Sequence, residues 1–299
     1  MDAADFDYLS LQKNGNEDFS LPPEIDFEWD GSDKDIFQLS EYSDFRESIQ
    51  TASNGICRVY NLKCNTRYYW RVFSDGECSE VFSFCTTDEY PRFIKIDGLS
   101  NVRDCGGWKS HHGGNIKQGM LYRGGELDPH MHITDEGLKT MAETLKIKSV
   151  LDLRRETELT GNIYGKEYKN VPVTAYAAWF EQPYTVMKEI FDFLSKKENY
   201  PVYFHCWGGA DRTGTLAFLL GCILGMSEED LVDDYELTTL SIWGARSRNA
   251  EHAFKGFLDA FNSFDGKTLC EKAECYLLSC GISKESIQSF REIMLGTVL

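Results

Sequence analysis

Val202-Tyr203-Phe204-His205-Cys206-Trp207-Gly208-Gly209-Ala210-Asp211-Arg212-Thr213-Gly214 decides how the chain is read. An apolar run ends in a histidine and a cysteine, a loop with two glycines follows, and Arg212 stands six residues after Cys206. That order predicts a buried strand, a tight loop and a helix over 213–224. A glycine-containing loop entering a helix turns several N–H groups toward one point, where the helix dipole adds partial positive charge. Such a cradle fits a tetrahedral oxyanion.

The cysteine gives this cradle its chemistry. The nucleophilic form of cysteine is the thiolate, which helix amino termini and nearby cations favour, and Cys206 occupies such a position. Arg212 offers a planar fork that grips two phosphate oxygens, which a lysine's point charge does not reproduce. Thr213 is expected to donate a hydroxyl hydrogen bond to the sulfur, easing its departure. His205 is expected to orient the loop, while Trp207, Gly208, Gly209 and Ala210 line the bound phosphate. The competing reading is an inert strand-end thiol. His205, the glycines and the Arg-Thr-Gly helix start argue together against it.

A leaving oxygen needs a proton, and a positioned acid contributes about a hundred- to ten-thousand-fold in rate. Two aspartates compete for that role. Asp211 lies inside the loop; Asp152 ends the predicted strand Ser149-Val150-Leu151-Asp152-Leu153, at the edge where α/β sheets bind ligands. Asp211 is the expected acid, and later the base for water. Asp152 is its support or its alternative.

The motif His-Cys-x-x-Gly-x-Asp-Arg-Thr-Gly resembles the loop of bacterial tyrosine phosphatases of the atypical dual-specificity type, within the cysteine-dependent phosphatase superfamily. Further segments are similar in the same order: Asn101-Val102-Arg103-Asp104-Cys105-Gly106-Gly107, Gly119-Met120-Leu121-Tyr122-Arg123-Gly124-Gly125-Glu126-Leu127, Val150-Leu151-Asp152-Leu153-Arg154 and Asp234-Tyr235. The likeness spans residues 93–240. It implies a phosphomonoester hydrolase with a cysteinyl-phosphate intermediate and no cofactor, acting on a phosphorylated protein, phosphotyrosine first, or on a small phosphoester. In myotubularin-like lipid phosphatases, whose loops also end in Asp-Arg-Thr, the aspartate matching Asp211 is the proposed acid. Relatives acting on lipids often carry a lysine where this chain has Ala210. Phosphoinositide or inositol phosphate hydrolysis is the alternative, followed by a catalytically weak phosphate-binding module. A sulfurtransferase also uses a loop cysteine, but the Arg-Thr-Gly ending disfavours it.

Outward from the loop, residues 93–299 read as an α/β domain with a central, mostly parallel sheet flanked by helices and a helical carboxyl-terminal part. Helices are predicted over 134–146, 184–196, 227–240, 250–264, 268–279 and 284–295. Arg103, Asp104, Arg123 and Arg154 are expected to form structural salt bridges. Tyr176, Trp179 and Phe180 suggest either an aromatic lip or part of the core. His111, His112, His130 and His132 have no ligand-spaced partners, so no metal site is expected.

The first third differs in kind. Residues 1–95 hold 19 acidic against 9 basic residues, more than half of the net charge of −17. Alternating runs at 24–29, 56–60, 68–73 and 81–84, broken at Asn54-Gly55 and Asp75-Gly76, predict a small all-β sandwich over 1–92. Residues 62–72 resemble the tyrosine-corner segment of fibronectin type III domains, with Cys64 where proline is common. That likeness implies a spacer or a protein-docking surface rather than a catalytic unit. The overall charge disfavours nucleic acid as a partner. No apolar stretch reaches the ~20 residues of a membrane-spanning helix, and the acidic start lacks the features of a secretion signal. A cytoplasmic protein is expected, with export after loss of a signal as the alternative. Ten scattered cysteines read as reduced thiols; only export would allow disulfides among Cys57, Cys64, Cys78 and Cys85.

Overall fold

The computed structural model describes residues 17–32, 34–129, 131–155 and 161–296. It divides into two compact units, Pro22–Ile94 and Lys95–Leu299, the second joined by the segment before Pro22. Phe19 N–H donates to Leu240 O at 2.7 Å, and Ser20 Oγ accepts from Asn101 N–H at 3.0 Å. Among the described residues no helix is long and apolar enough to cross a membrane.

The smaller unit is all-β and antiparallel. Strand β1 (Ile25–Glu28) pairs with β4 (Ile56–Val59); β2 (Asp35–Ser40) lies between β3 (Ile49–Ser53) and β5 (Arg67–Ser74), and β5 also pairs with β6 (Glu77–Cys78) and β7 (Phe82–Cys85). Phe27, Phe37, Leu39, Val59, Tyr68 and Val72 form the core, with Trp29 and Trp70 against it. The Tyr68 hydroxyl accepts from Lys63 N–H at 2.9 Å. Strands β2 and β3 escaped the alternation rule because β2 is buried along almost its whole length and β3 is exposed along almost all of it. The predicted breaks fall where the backbone turns left-handed, at Gly55, Asp75 and Gly76 (φ +94°, +50° and +88°). All ten cysteines are free thiols.

The larger unit is built on a six-stranded sheet. Its order is β11 (Gly161–Ile163), β12 (Lys166–Asn170), β10 (Ser149–Asp152), β13 (Val202–His205), β9 (Leu121–Gly124) and β8 (Arg103–Asp104). The four inner strands run parallel and the two outer ones antiparallel. Both β10 and β13 are buried at every position, as expected of inner strands covered on both faces. Register sets Asp152, His205 and Gly124 side by side at one edge.

Among the described residues seven α-helices accompany the sheet: α1 (Asp135–Lys139), α2 (Tyr184–Leu194), α3 (Asp211–Ile223), α4 (Glu228–Glu236), α5 (Gly256–Phe261), α6 (Leu269–Ser279) and α7 (Lys284–Leu295). Thr134, Ser227, Thr268 and Ser283 cap α1, α4, α6 and α7 through their side chains. The predicted helix over 250–264 is instead kinked at Ala253 (φ −127°, ψ −109°), turning Phe254, Phe257 and Phe261 into one buried aromatic cluster with Phe180 and Phe218. Helix α3 is buried on nearly all sides and packs against β9, β13, α4 and α6, which fixes the cysteine loop at its amino end.

Candidate active site

Helix α3 begins at Asp211, two residues before the predicted start, so Asp211 and Arg212 both lie in its first turn. Ala210 is the N-cap and supplies no side-chain acceptor. A serine or aspartate there would occupy N–H groups that an anion needs.

The loop's carbonyls are all fastened. His205 Nδ1 bonds Cys206 O at 2.9 Å, Glu126 N–H donates to Trp207 O at 2.7 Å, and Asn101 Nδ2 donates to Gly208 O at 2.9 Å. Arg123 Nη2 donates to Gly209 O at 2.9 Å, and Gly214 N–H to Ala210 O at 2.8 Å. In a trans peptide the carbonyl and the following N–H point in opposite directions. The N–H groups of residues 207–211 therefore face away from these supports. Two glycines make this path possible. Gly209 adopts φ +67°, and a Cβ on it would stand 2.2 Å from Gly124 O; a Cβ on Gly208 would meet the Trp243 ring at 2.7 Å. Cys206 is buried and Trp207 is exposed, while Arg212 is partly buried. Thr213, expected to donate to the sulfur, instead has a buried hydroxyl without a hydrogen-bond partner among the described residues.

Asp211 sits at the surface, its side chain 42% exposed. Arg246 bonds both of its oxygens, Nε to Oδ1 at 2.8 Å and Nη2 to Oδ2 at 3.2 Å, and the Tyr176 hydroxyl donates to Oδ1. Burial and the neighbouring Asp211 push Tyr176 well above the usual phenol range, so it stays a donor. Its oxygen also meets the Tyr235 hydroxyl at 2.9 Å.

Asp152 is fully buried. Arg154 binds it through Nε at 3.0 Å and Nη2 at 2.7 Å, and Tyr168 donates to Oδ2. Arg154 Nη1 reaches the buried Glu126 at 2.6 Å. Burial opposes charge on Asp152, but the hydrogen bonds from Arg154 and Tyr168 and the Arg154 charge outweigh it and hold the carboxyl below its usual range. Burial pushes the His205 ring down despite Asp152, which keeps it a neutral donor to the loop. Arg103 and Arg123 share Asp234, Arg103 through Nε at 2.8 Å, and Asp104 accepts from Gly106 and Gly119 N–H.

Of the three aromatics suggested for a lip, only Tyr176 reaches this site; Trp179 is fully buried and Phe180 stacks on Phe257 at 5.6 Å. Among the described residues no three His, Cys, Asp or Glu side chains gather as metal ligands, and His130 lies outside those residues. The sequence reading quoted Asn101 and Glu126 in family-like segments without giving them a role, and it missed Tyr168 and the whole segment 241–249 that brings Trp243 and Arg246. The signal available was Trp243-Gly244-Ala245-Arg246-Ser247-Arg248, two arginines in the segment that follows the acidic helix α4 by about ten residues.

A cysteine in an amide-lined loop at the end of a parallel strand, followed by an arginine in the first helical turn, is the arrangement of the cysteine-dependent phosphatases. The profile of the tyrosine phosphatase family matches residues 94–296, more than half of the chain, and the chain belongs to that family of phosphate-ester hydrolases. The tyrosine-protein phosphatase of Nostoc commune is 26% identical over 142 residues, 39% of this chain and 47% of that protein. A Cupriavidus necator protein provisionally named a tyrosine-protein phosphatase is 27% identical over 171 residues, 48% of this chain and 61% of the relative. The chain thus spans about half the length of the curated relatives it matches. Among solved structures, the catalytic domain of the PP-IP phosphatase SIW14 from S. cerevisiae aligns at 21% identity and a TM-score of 0.33, over 42% of this chain and 75% of that one.

Proposed function

We propose that this chain hydrolyses phosphomonoesters through a cysteinyl-phosphate intermediate, with protein phosphotyrosine as its first substrate class. The observation that carries the reading is the set of five loop carbonyls, 206–210, fastened away from the cradle. Amides held in advance stabilise the charge that builds on the phosphoryl oxygens without reorganising during the reaction. Cys206 attacks phosphorus, Arg212 grips two oxygens, and Gly208, Gly209 and Ala210 offer their N–H groups, with Trp207 beside the bound ester. Asp211 protonates the leaving oxygen and then takes a proton from water. Its partial exposure supports that role, whereas the fully enclosed Asp152 supports His205 and the loop. The unpaired Thr213 hydroxyl is the donor for the departing thiolate.

Two domains are proposed, as in the division at 92/93 expected from the sequence, with the first, of fibronectin type III type, starting at Pro22 instead of residue 1, because Phe19 and Ser20 bond to the second. The bond from Lys63 N–H to the Tyr68 hydroxyl, at the start of β5, supports that kinship because it is the contact of a tyrosine corner. Docking of a protein partner is the role proposed for it.

Release of phosphate from p-nitrophenyl phosphate, lost in Cys206→Ser, is the expected result. A folded, reduced sample without turnover would leave a phosphate-binding module in its place. Iodoacetate should inactivate the enzyme, with protection by inorganic phosphate. A panel of phosphotyrosyl peptides, phosphoseryl peptides, phosphoinositides and inositol phosphates then ranks the substrate classes; preference for either of the last two overturns the phosphotyrosine assignment.

A further inference from the structure

Arg246 lies outside the cysteine loop, yet it determines how Asp211 is presented. A carboxylate offers about four lone-pair positions. Arg246 takes one on each oxygen and Tyr176 a second on Oδ1, which leaves the open position on Oδ2.

The arginine is itself immobilised. Its Nη1 donates to the carbonyls of Trp243, Gly244 and Ala245 at 3.4, 3.3 and 3.1 Å, and its N–H donates to Thr239 Oγ1 at 2.9 Å. Tyr176 is fixed from the opposite side. Its N–H donates to Thr215 Oγ1 at 3.0 Å, that hydroxyl donates to Asp211 O at 2.9 Å, and the Tyr235 ring beside it stacks on Phe254 at 4.2 Å. A simple surface ion pair contributes little stability and needs no such scaffold. A bidentate fork fixes the plane of a carboxylate, as a lysine cannot.

We propose that Arg246 is a positioning residue for proton transfer, holding Asp211 so that the proton on Oδ2 faces the leaving group. The inference rests on the reading of Asp211 as the acid. In the first step a sulfur lone pair forms the S–P bond. The P–O pair departs with the leaving oxygen, and that oxygen takes the Oδ2 proton. In the second, a water oxygen bonds phosphorus and returns a proton to Asp211, while the S–P pair goes back to sulfur.

The test compares kcat on phenyl phosphate, a poor leaving group, with kcat on p-nitrophenyl phosphate, a good one. Arg246→Met and Arg246→Lys should raise the ratio of the second to the first by about ten- to a hundredfold, the scale of a misplaced catalytic group. KM for both esters and the rate of Cys206 alkylation by iodoacetate should stay unchanged, which shows the loop intact. Asp211→Asn should raise the ratio at least as far, and adding Arg246→Met to it should raise it no further. An equal fall on both esters in the Arg246 variants, or an unchanged ratio, overturns the positioning role. Should Asp211→Asn leave the ratio unchanged, the acid assignment itself falls and takes this inference with it. Should Asp211→Asn raise it while Arg246→Met does not, the positioning role alone falls.

Discussion

Two clusters in the α/β unit share one composition. Asp152 is held by Arg154 and Tyr168, and Asp211 by Arg246 and Tyr176. What differs is their access to water. Arg154 and Asp152 are 4% and 0% exposed, Arg246 and Asp211 20% and 42%. An enclosed carboxylate depends on its donors, because a lost partner leaves a buried charge unpaired. A carboxylate at the surface can exchange a proton and tolerates the loss of a partner. The same three side chains thus make a support in one place and a candidate for chemistry in the other.

That contrast is broken most directly by exchanging function between the aspartates. Asp211→Asn should lower kcat on phenyl phosphate by about a hundred- to ten-thousand-fold. Its stability should change by about 1 kcal/mol or less, because the lost pair is partly open to water. If Asp152→Asn had that kinetic effect while Asp211→Asn retained full turnover, the roles would be reversed.

The buried cluster should answer in stability instead. Arg154→Met leaves Asp152 and Glu126 without their cation, and urea unfolding should report a loss of about 3–5 kcal/mol. A loss below about 1 kcal/mol would mean that water reaches the cluster, and the contrast would weaken.

A smaller effect sharpens the account of the loop that lies between the two clusters. Gly209→Ala forces a Cβ to within 2.2 Å of Gly124 O at φ +67°. About 1–3 kcal/mol of strain is expected, together with loss of phosphate protection against iodoacetate. Retained protection would show that the amides do not depend on this backbone path.

Much of this was legible in the residues alone. The strand, glycine loop and helix around Cys206 follow one another in sequence, so periodicity and spacing suffice, and the parallel strands at 149–152 and 202–205 announce themselves as continuous apolar runs. What stayed hidden depends on contacts across the fold. Asn101 and Glu126 hold the loop from 107 and 81 residues away in sequence. Arg246 reaches Asp211 through a segment without regular structure, and no periodicity marks such a residue. Strand β3, exposed on both faces, carried no pattern for the same reason that it carries no core.

The smallest expected effect concerns His205, which joins the buried cluster to the loop. Its Nδ1 lies 3.9 Å from Asp152 Oδ1 and bonds Cys206 O, and burial holds its protonation below the ordinary histidine range. The unfolded chain, with a histidine pKa near ~6.5, therefore binds a proton more readily than the folded one. The stabilisation is complete above that value and is lost as pH falls toward the depressed folded value, by at most about 1.4 kcal/mol per pH unit. Asp152, also depressed, contributes only below the ordinary carboxylate pKa of ~3.9, so it is silent in this window. His112, depressed chiefly by its own burial, is common to both proteins and cancels in a difference. Urea midpoints of the wild type and His205→Gln at pH 7.5 and 5.5 isolate the term: the wild type should lose more stability on acidification. Parallel losses would mean that His205 binds its proton equally well folded and unfolded, and that the loop is not held by a neutral ring.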